Sequence, residues 1–206
     1  GLFNSSIRES LSITHGQFGS IYASATLLSS FILVWIGKKI DDINILKFAS
    51  YVVGLLAISC FLFSKISSVI FLFFSIFLMR LSGQGLMSHT ASTTISRFFE
   101  RSRGRALSIT WLGLSLAEFI LPLLIIFLLT FIDWRNIWFT ISILVIVVLP
   151  TISFLLVKNI KLDSREASVI KDSKIKDIKQ WTRTEVLKDY RFYVICLSML
   201  AMPSIA

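Results

Sequence analysis

Two charged residues stand inside long apolar stretches of this sequence, and they are the side chains best placed to do chemistry. Arg80 and Glu118 each lie about midway along such a stretch, at similar distances on either side of Glu100. If both stretches cross a membrane, each charge costs about 3 kcal/mol at the centre, so its presence needs a reason. One reading is an ion pair across two antiparallel helices. The other is a substrate-binding site for an anion or a site of proton coupling.

For Arg80 these two readings are evenly balanced, whereas for Glu118 the ion pair or helix packing is favoured. Both residues are candidate substrate-binding residues. His89 follows Arg80 in the polar end of the same stretch, where a hydrogen-bonded helix histidine is favoured over a proton relay.

The remaining reactive side chains do not form a recognisable metal or catalytic site. Cys60 and Cys196 fall in apolar stretches without the spacing of a disulfide framework or a zinc site. Asp41 and Asp42 adjoin two lysines and have no further acidic partner nearby in the sequence. No glycine-rich phosphate loop is present. We therefore expect neither a metal nor a cofactor, and no enzymatic activity.

The elements that position these residues are blocks of apolar sequence. Apolar residues make up 55% of the chain, 18 residues are Phe, and the mean hydropathy is +0.79. The blocks are about 20 residues long, which is the length of a helix that crosses a bilayer. They are continuously apolar rather than alternating, which excludes a β-barrel. The sequence predicts an all-α membrane protein, a helical bundle of five complete transmembrane helices plus a partial one, with complete spans at residues 16–36, 45–64, 67–90, 106–132 and 136–157.

The connecting segments carry a one-sided distribution of basic residues. We expect residues 1–15 to form a loop, and residues 133–135 a tight turn between the last two complete spans. One side of the predicted bundle has few basic residues: Arg8, Lys65 and Arg135. The other side carries the lysines of residues 38–47, the arginines of residues 97–105 and the basic residues of 158–191. By the positive-inside rule the second side is cytoplasmic, which predicts a multi-pass protein of the inner or plasma membrane and an earlier helix before Gly1.

The same pattern divides the chain into three parts. Residues 1–157 are predicted to form an N-terminal transmembrane bundle whose first helix is missing, and residues 191–206 the truncated start of a C-terminal bundle. Residues 158–190 are predicted to be a cytoplasmic linker, for which a solvated segment is favoured over an amphipathic helix on the membrane. The net charge of +9 also fits nucleic-acid binding, but its clustering beside apolar blocks favours membrane insertion, so no nucleic-acid partner is expected.

In the loop after the first span, Gly37 is followed four residues later by Asp41, a spacing that resembles the signature loop of the major facilitator superfamily, G-x-x-x-D-[RK]-x-G-[RK]-[RK]. Gly37 and Asp41 match this pattern, whereas Asp42 and Asn44 depart from it. The loop also lies between the second and third helices, as in that family. The resemblance implies that the Asp contacts neighbouring helix ends and latches the outward-open state. The candidate conformational gate therefore comprises Gly37, Asp41, Arg97 and Arg105.

Further stretches resemble one bacterial branch of this superfamily, which is similar to monocarboxylate and oxalate–formate exchangers. Ala117 and Glu118 depart from the usual Gly-Pro pair of the fifth helix. The stretches that carry the resemblance are Arg80 with Gly83, Gln84 and Gly85; FFERSRGRA at residues 98–106; Gly113 with Glu118 and Pro122; the turn at residues 133–135; and WTRTEVLKDYRFY from Trp181.

The resemblance implies a 12-helix parent of two bundles, with a substrate cavity between them at the membrane midplane. The function expected from it is secondary active transport of a small solute by alternating access, with an organic anion such as a monocarboxylate as the solute and a proton or ion as a coupling partner. A monomer within the lipid bilayer is expected. Two alternatives stay open: a membrane-embedded lipid-modifying enzyme, and a transport-dead sensor or scaffold on the same fold.

Overall fold

The structure is a computed structural model that describes residues 2–98 and 102–159. These residues belong to one compact unit, Gly1–Asn159. The truncated C-terminal bundle predicted at residues 191–206 and Cys196 lie outside the described residues. The predicted linker at residues 158–190 also lies outside them, apart from its first two residues, which continue the last described helix.

Every regular element in the described part of the chain is a helix, and five of these helical segments are long and apolar enough to cross a membrane. The prediction of an all-α membrane fold is therefore confirmed. The elements are α1 (Asn4–Leu11), α2 (His15–Lys38), α3 (Ile45–Ser64), α4 (Val69–Met79), a π-helical segment (Arg80–Met87), α5 (Ser88–Phe98), α6 (Arg103–Leu129) and α7 (Trp134–Asn159). The middle three join into one continuous rod, Val69–Arg97.

The prediction of a loop over residues 1–15 is wrong, because α1 occupies Asn4–Leu11. Phe3, Ile7 and Leu11 are spaced four residues apart, so they share one face of a helix. Phe3 and Ile7 are buried in the core of the bundle, and the ring of Phe3 lies 5.4 Å from that of Trp138. The apolar stripe is short, but packing against other helices stabilises it where an isolated helix of this length would not persist.

The predicted turn at residues 133–135 is shifted toward the N-terminus. Trp134 and Arg135 already belong to α7, and the turn occupies residues 130–133. The cause is the side chain of Asp133, whose Oδ2 accepts a hydrogen bond from the backbone N–H of Arg135 at 3.1 Å. An acidic residue in this position satisfies a free amide at the helix start and so fixes where α7 begins.

The core consists of two clusters at opposite ends of the bundle. One surrounds the turn between α3 and α4 and includes Phe63, Ile66 and Trp134. The other surrounds the loop between α2 and α3 and includes Ile40 and Phe48. Because α3 runs the length of the bundle, it takes part in both clusters and connects them.

The helices differ greatly in how much of their surface is packed. The most extensive contact joins α3 and α7, and α2 packs against α4 and the π-helical segment. A hydrogen bond between helices supports the first contact, since Ser142 Oγ donates to the carbonyl oxygen of Ala57 at 2.9 Å. Along Arg103–Leu129, all of which is described, no side chain is buried. Helix α6 therefore presents its apolar residues outward.

Candidate functional site

The helix that carries Arg80 changes its winding at that residue. Apolar residues and the Ser68 cap form α4, and the chain then continues as a π-helix from Arg80 to Met87. Two glycines allow neighbouring helices to approach closely there. A Cβ atom at Gly85 would lie 3.1 Å from Leu33 on α2, and one at Gly83 would lie 3.3 Å from Leu56 on α3. Stretches of π-helix are rare in proteins, and those that occur are often found at functional sites.

Arg80 lines a cavity between α2 and the π-helical segment, which we call the Arg80 cavity. Its volume is about 230 Å³, and α2 contributes three hydroxyl side chains to its wall. The guanidinium carbon of Arg80 lies 5.0 Å from the ring centroid of Tyr22, also on α2. This distance is typical of a cation–π interaction. The residues that line the cavity are Thr26, Ser29, Ser30, Leu33, Arg80, Gln84 and Gly85.

The hydroxyl groups of the Arg80 cavity differ in how they are satisfied. Ser29 Oγ and Ser30 Oγ both donate to the carbonyl oxygen of Thr26, at 2.8 Å and 3.0 Å. The hydroxyl oxygen of Thr26 is buried and has no hydrogen-bond partner among the described residues. A buried polar group without a partner costs about 1–3 kcal/mol. The cavity wall thus combines a cation with a hydroxyl that has no hydrogen-bond partner among the described residues.

The structure does not bring Glu118 to Arg80. Glu118 lies on α6 and is exposed, whereas Arg80 is half-buried beside α2. In residues 2–98 and 102–159, the only salt bridge joins Arg97 and Asp41. The two charged residues singled out from the sequence therefore do not neutralise each other in this arrangement.

Three long-range contacts connect α5 to the end of α2 and to the loop that follows it, and we call this set of contacts the loop latch. Arg97 Nη2 lies 2.7 Å from Asp41 Oδ1 and also donates to the carbonyl oxygen of Ile40 at 3.4 Å. His89 Nε2 lies 3.1 Å from the carbonyl oxygen of Gly37. Since a carbonyl oxygen only accepts, His89 donates this bond from Nε2. His89 is thus the hydrogen-bonded helix histidine that the sequence favoured.

Gly37, in the last turn of α2, also lies against the ring of His89. Gly37 is buried, and a Cβ atom there would lie 3.5 Å from two ring atoms of His89. That is ordinary contact distance, so alanine would fit there, whereas a side chain larger than alanine would displace the imidazole. Of the four predicted gate residues, Asp41 and Arg97 contact each other, and Gly37 contacts His89, which lies on the same helix as Arg97. Arg105 lies exposed in the first turn of α6 and makes no polar contact with the described residues.

The Arg80 cavity and the loop latch share one structural element. Arg80 and Gln84 belong to the π-helical segment, and His89 and Arg97 follow on α5 in the same continuous rod. A change of winding between Arg80 and Met87 would rotate one site relative to the other. Within the described ranges, His, Cys, Asp and Glu side chains do not gather in groups that could hold a metal ion.

The family model of the Major Facilitator Superfamily matches residues 1–206. The chain belongs to this superfamily. It is therefore a multi-pass membrane protein of a family that transports small molecules, as the five apolar helices also indicate. Comparison with curated proteins and with solved structures gave no match. The family match covers the superfamily as a whole and does not separate its branches.

The sequence identified Arg80, the cation of this major facilitator's cavity, as a candidate. It did not identify the side chains of α2 that form the opposite wall. Tyr22 and Thr26 on α2 lie four residues apart and so share one helical face, and the two serines follow at the next turn. That spacing was visible in the sequence. It was not distinctive, because hydroxyl and aromatic residues also serve to pack one membrane helix against another.

Proposed function

We propose that this major facilitator is a secondary active transporter of a small organic anion, and that a monocarboxylate is the first class of solute to test. The observation that carries the proposal is the position of Arg80. Its guanidinium lies about midway along a membrane-spanning rod, in a cavity lined by hydroxyl groups, and no carboxylate of the described residues pairs with it.

An anion suits this cavity for electrostatic reasons. A charge near the middle of a membrane is costly, and a bound carboxylate would offset that cost. Arginine presents N–H groups in a planar fork that matches the two oxygens of a carboxylate. The Tyr22 ring supports the guanidinium from α2, while Thr26 and Gln84 provide further hydrogen-bonding groups. The cavity can therefore bind a carboxylate and a neighbouring polar group.

The loop latch is proposed to control which side of the membrane the cavity opens to. Asp41 and Arg97 connect the cytoplasmic ends of helices in our topology, and breaking that contact would free the loop to move. Because Arg80 and Arg97 belong to one continuous rod, ligand binding that alters the π-helical segment would also displace Arg97 relative to Asp41. Glu118 is the candidate carrier of a coupling proton, since it is a carboxylate midway along α6.

Transport measurements on the full-length protein test the proposal. We expect reconstituted vesicles to take up labelled formate, lactate or oxalate when a gradient of protons or of the same solute is imposed. Arg80→Lys keeps the charge but loses the planar fork, and should lower the rate about tenfold or more, as expected for losing a charge-assisted hydrogen bond. Arg103→Lys is the matched control, because Arg103 is exposed at the start of α6 and lies outside the cavity.

The outcomes separate the residue assignment from the function. If Arg80→Lys transports as well as the unmodified protein, Arg80 does not bind the substrate. If the folded protein moves none of the solutes down any imposed gradient, a sensor or scaffold on the same fold becomes the better account.

A further inference from the structure

A second cavity lies at the end of the bundle opposite the loop latch, and we call it the Lys65 pocket. It has a volume of about 520 Å³ and forms where the turn between α3 and α4 meets the start of α7. It has no lining residue in common with the Arg80 cavity. Its polar wall includes Ser64, Lys65, Ser67, Arg135 and Asn136.

Positive charge dominates this pocket. Lys65 is exposed and Arg135 is half-buried, and neither forms a salt bridge with a carboxylate of the described residues. Arg135 is held firmly in place, because its Nη1 donates to the carbonyl oxygen of Ile66 at 2.6 Å and its guanidinium lies 4.4 Å from the Trp134 ring centroid. The one acid in the wall, Asp133, accepts a backbone hydrogen bond at the start of α7.

Two helix starts add to the positive potential. Helix α4 begins after Ser68, and α7 begins at Trp134, so both have their N-terminal ends beside the Lys65 pocket. The first amides of a helix have no partner within the helix and carry the positive end of its dipole. Together with the two cations, these ends favour an anion with several oxygens, such as a phosphate group.

The pocket also has an apolar flank that faces outward. Phe139 lines it, with 42% of its surface exposed, and its ring lies 6.1 Å from that of Phe61, which is equally exposed. Lys65 Nζ lies 5.9 Å from the Phe139 centroid. Further exposed apolar side chains follow along α3 and α7 toward the middle of the bundle, among them Ile58 and Ile143. An exposed apolar surface does not stabilise a free inorganic anion, whereas it can pack against the acyl chain of a lipid.

We infer that the Lys65 pocket binds the headgroup phosphate of an anionic phospholipid, whose acyl chains lie along the outward faces of Phe61 and Phe139. The depth agrees with this assignment. Lys65 follows the last residue of α3 and Arg135 lies in the first turn of α7, so both stand at the ends of membrane-spanning helices, where the headgroups lie. The assignment does not depend on which solute the protein transports.

Native mass spectrometry of the full-length protein in detergent tests this inference. The probes are phosphatidylglycerol, phosphatidylcholine of the same acyl chains, and inorganic phosphate. We expect phosphatidylglycerol to bind at least fivefold more tightly than phosphatidylcholine. Lys65→Gln should weaken phosphatidylglycerol about fivefold, as expected for one basic residue near an anionic lipid. Lys65→Arg should retain binding. Arg8→Gln is the control, since Arg8 is a basic residue at the same end of the bundle but outside the pocket.

Three results would overturn the inference. Equal binding of the two lipids would show that the pocket does not select an anionic headgroup. An unchanged affinity in Lys65→Gln would place the lipid elsewhere. Displacement of the lipid by millimolar inorganic phosphate, with equal stabilisation by phosphate alone, would make the pocket a site for a free anion instead.

Discussion

Neutralising Asp41 should shift the conformational balance of this transporter without unfolding it. Asp41→Asn removes a charge but keeps an oxygen that can accept from Arg97, so the change is limited to the Coulombic part of the contact. The side chains of Arg97 and Asp41 are 39% and 65% exposed, and the second bond of Arg97, to Ile40, is long at 3.4 Å. Exposed ion pairs contribute about 0.2–1 kcal/mol, so the equilibrium should change by about 1.4- to fivefold.

The shift can be measured as the rate at which a cysteine in the Arg80 cavity reacts with a membrane-impermeant thiol reagent. Ser30 lines that cavity, so Ser30→Cys supplies the reactive thiol. The substitution is made in a protein in which Cys60 and Cys196 are replaced by Ala. If the latch stabilises the outward-open state, Asp41→Asn should raise labelling from the cytoplasmic side by the same factor and lower it from outside. High salt should bring the parent protein closer to the variant, because the pair is exposed and screened.

The neighbouring residue and the reversed pair provide the controls. Asp42→Asn removes the same charge one position along, where no ion pair is formed with the described residues, and should leave labelling unchanged. Exchanging the partners, as Asp41→Arg with Arg97→Asp, should restore part of what either single change loses. Identical labelling from both sides in Asp41→Asn and the parent protein would refute the latch.

Three further substitutions test the packing of the bundle. Gly85→Ala places a Cβ atom 3.1 Å from Leu33, and overpacking of this kind should lower the free energy of unfolding by about 1 kcal/mol in a thermal or denaturant titration. Gly54→Ala meets nothing within 4 Å and should be neutral or stabilising, since Ala favours the helix. Ser142→Ala removes the hydrogen bond to Ala57 and should cost about 0.6 kcal/mol, the average for such bonds between membrane helices, in a titration with sodium dodecyl sulfate.

Each of these expectations has a clear contrary outcome. Should Gly85→Ala and Gly54→Ala change stability equally, the close approach of α2 to the π-helical segment is not what requires glycine. Thr140→Ala is the control for the third substitution, because Thr140 bonds within its own helix and is exposed. A loss as large in Thr140→Ala as in Ser142→Ala would remove any special contribution of the contact between α3 and α7.

The membrane-spanning helices were predictable from the sequence, because their length and hydropathy follow directly from the thickness of a bilayer. The second predicted span, residues 45–64, coincides with α3. Helix α1 was missed because Phe3 and Ile7 are too few to stand out among polar neighbours, and it is their burial in the core cluster around Phe63 that stabilises them as a helix. The π-helical segment was also beyond prediction, since its winding depends on neighbours far away in the sequence.

The candidate site was predictable in its charges but not in its partners. Arg80 stands out because a cation in an apolar stretch is costly. Asp41 stands out because its loop resembles the signature loop of the major facilitator superfamily. The partner of a charge depends on how helices rotate about their axes, which hydropathy does not determine. In the structure the guanidinium of Arg80 accordingly packs on the ring of Tyr22 and does not pair with Glu118. Asp41 pairs with Arg97, which is far away in the sequence.

The serines of α2 keep their hydroxyl hydrogens engaged with carbonyl oxygens one turn back in their own helix, as Ser29 and Ser30 do with Thr26. In this state the helix surface behaves as nearly apolar, which makes it inexpensive to insert into a bilayer. Rotation about a single side-chain bond releases such a hydroxyl within nanoseconds and leaves the backbone in place. The wall facing Arg80 can thus offer hydroxyl donors as soon as a solute arrives, without any movement of the helix itself.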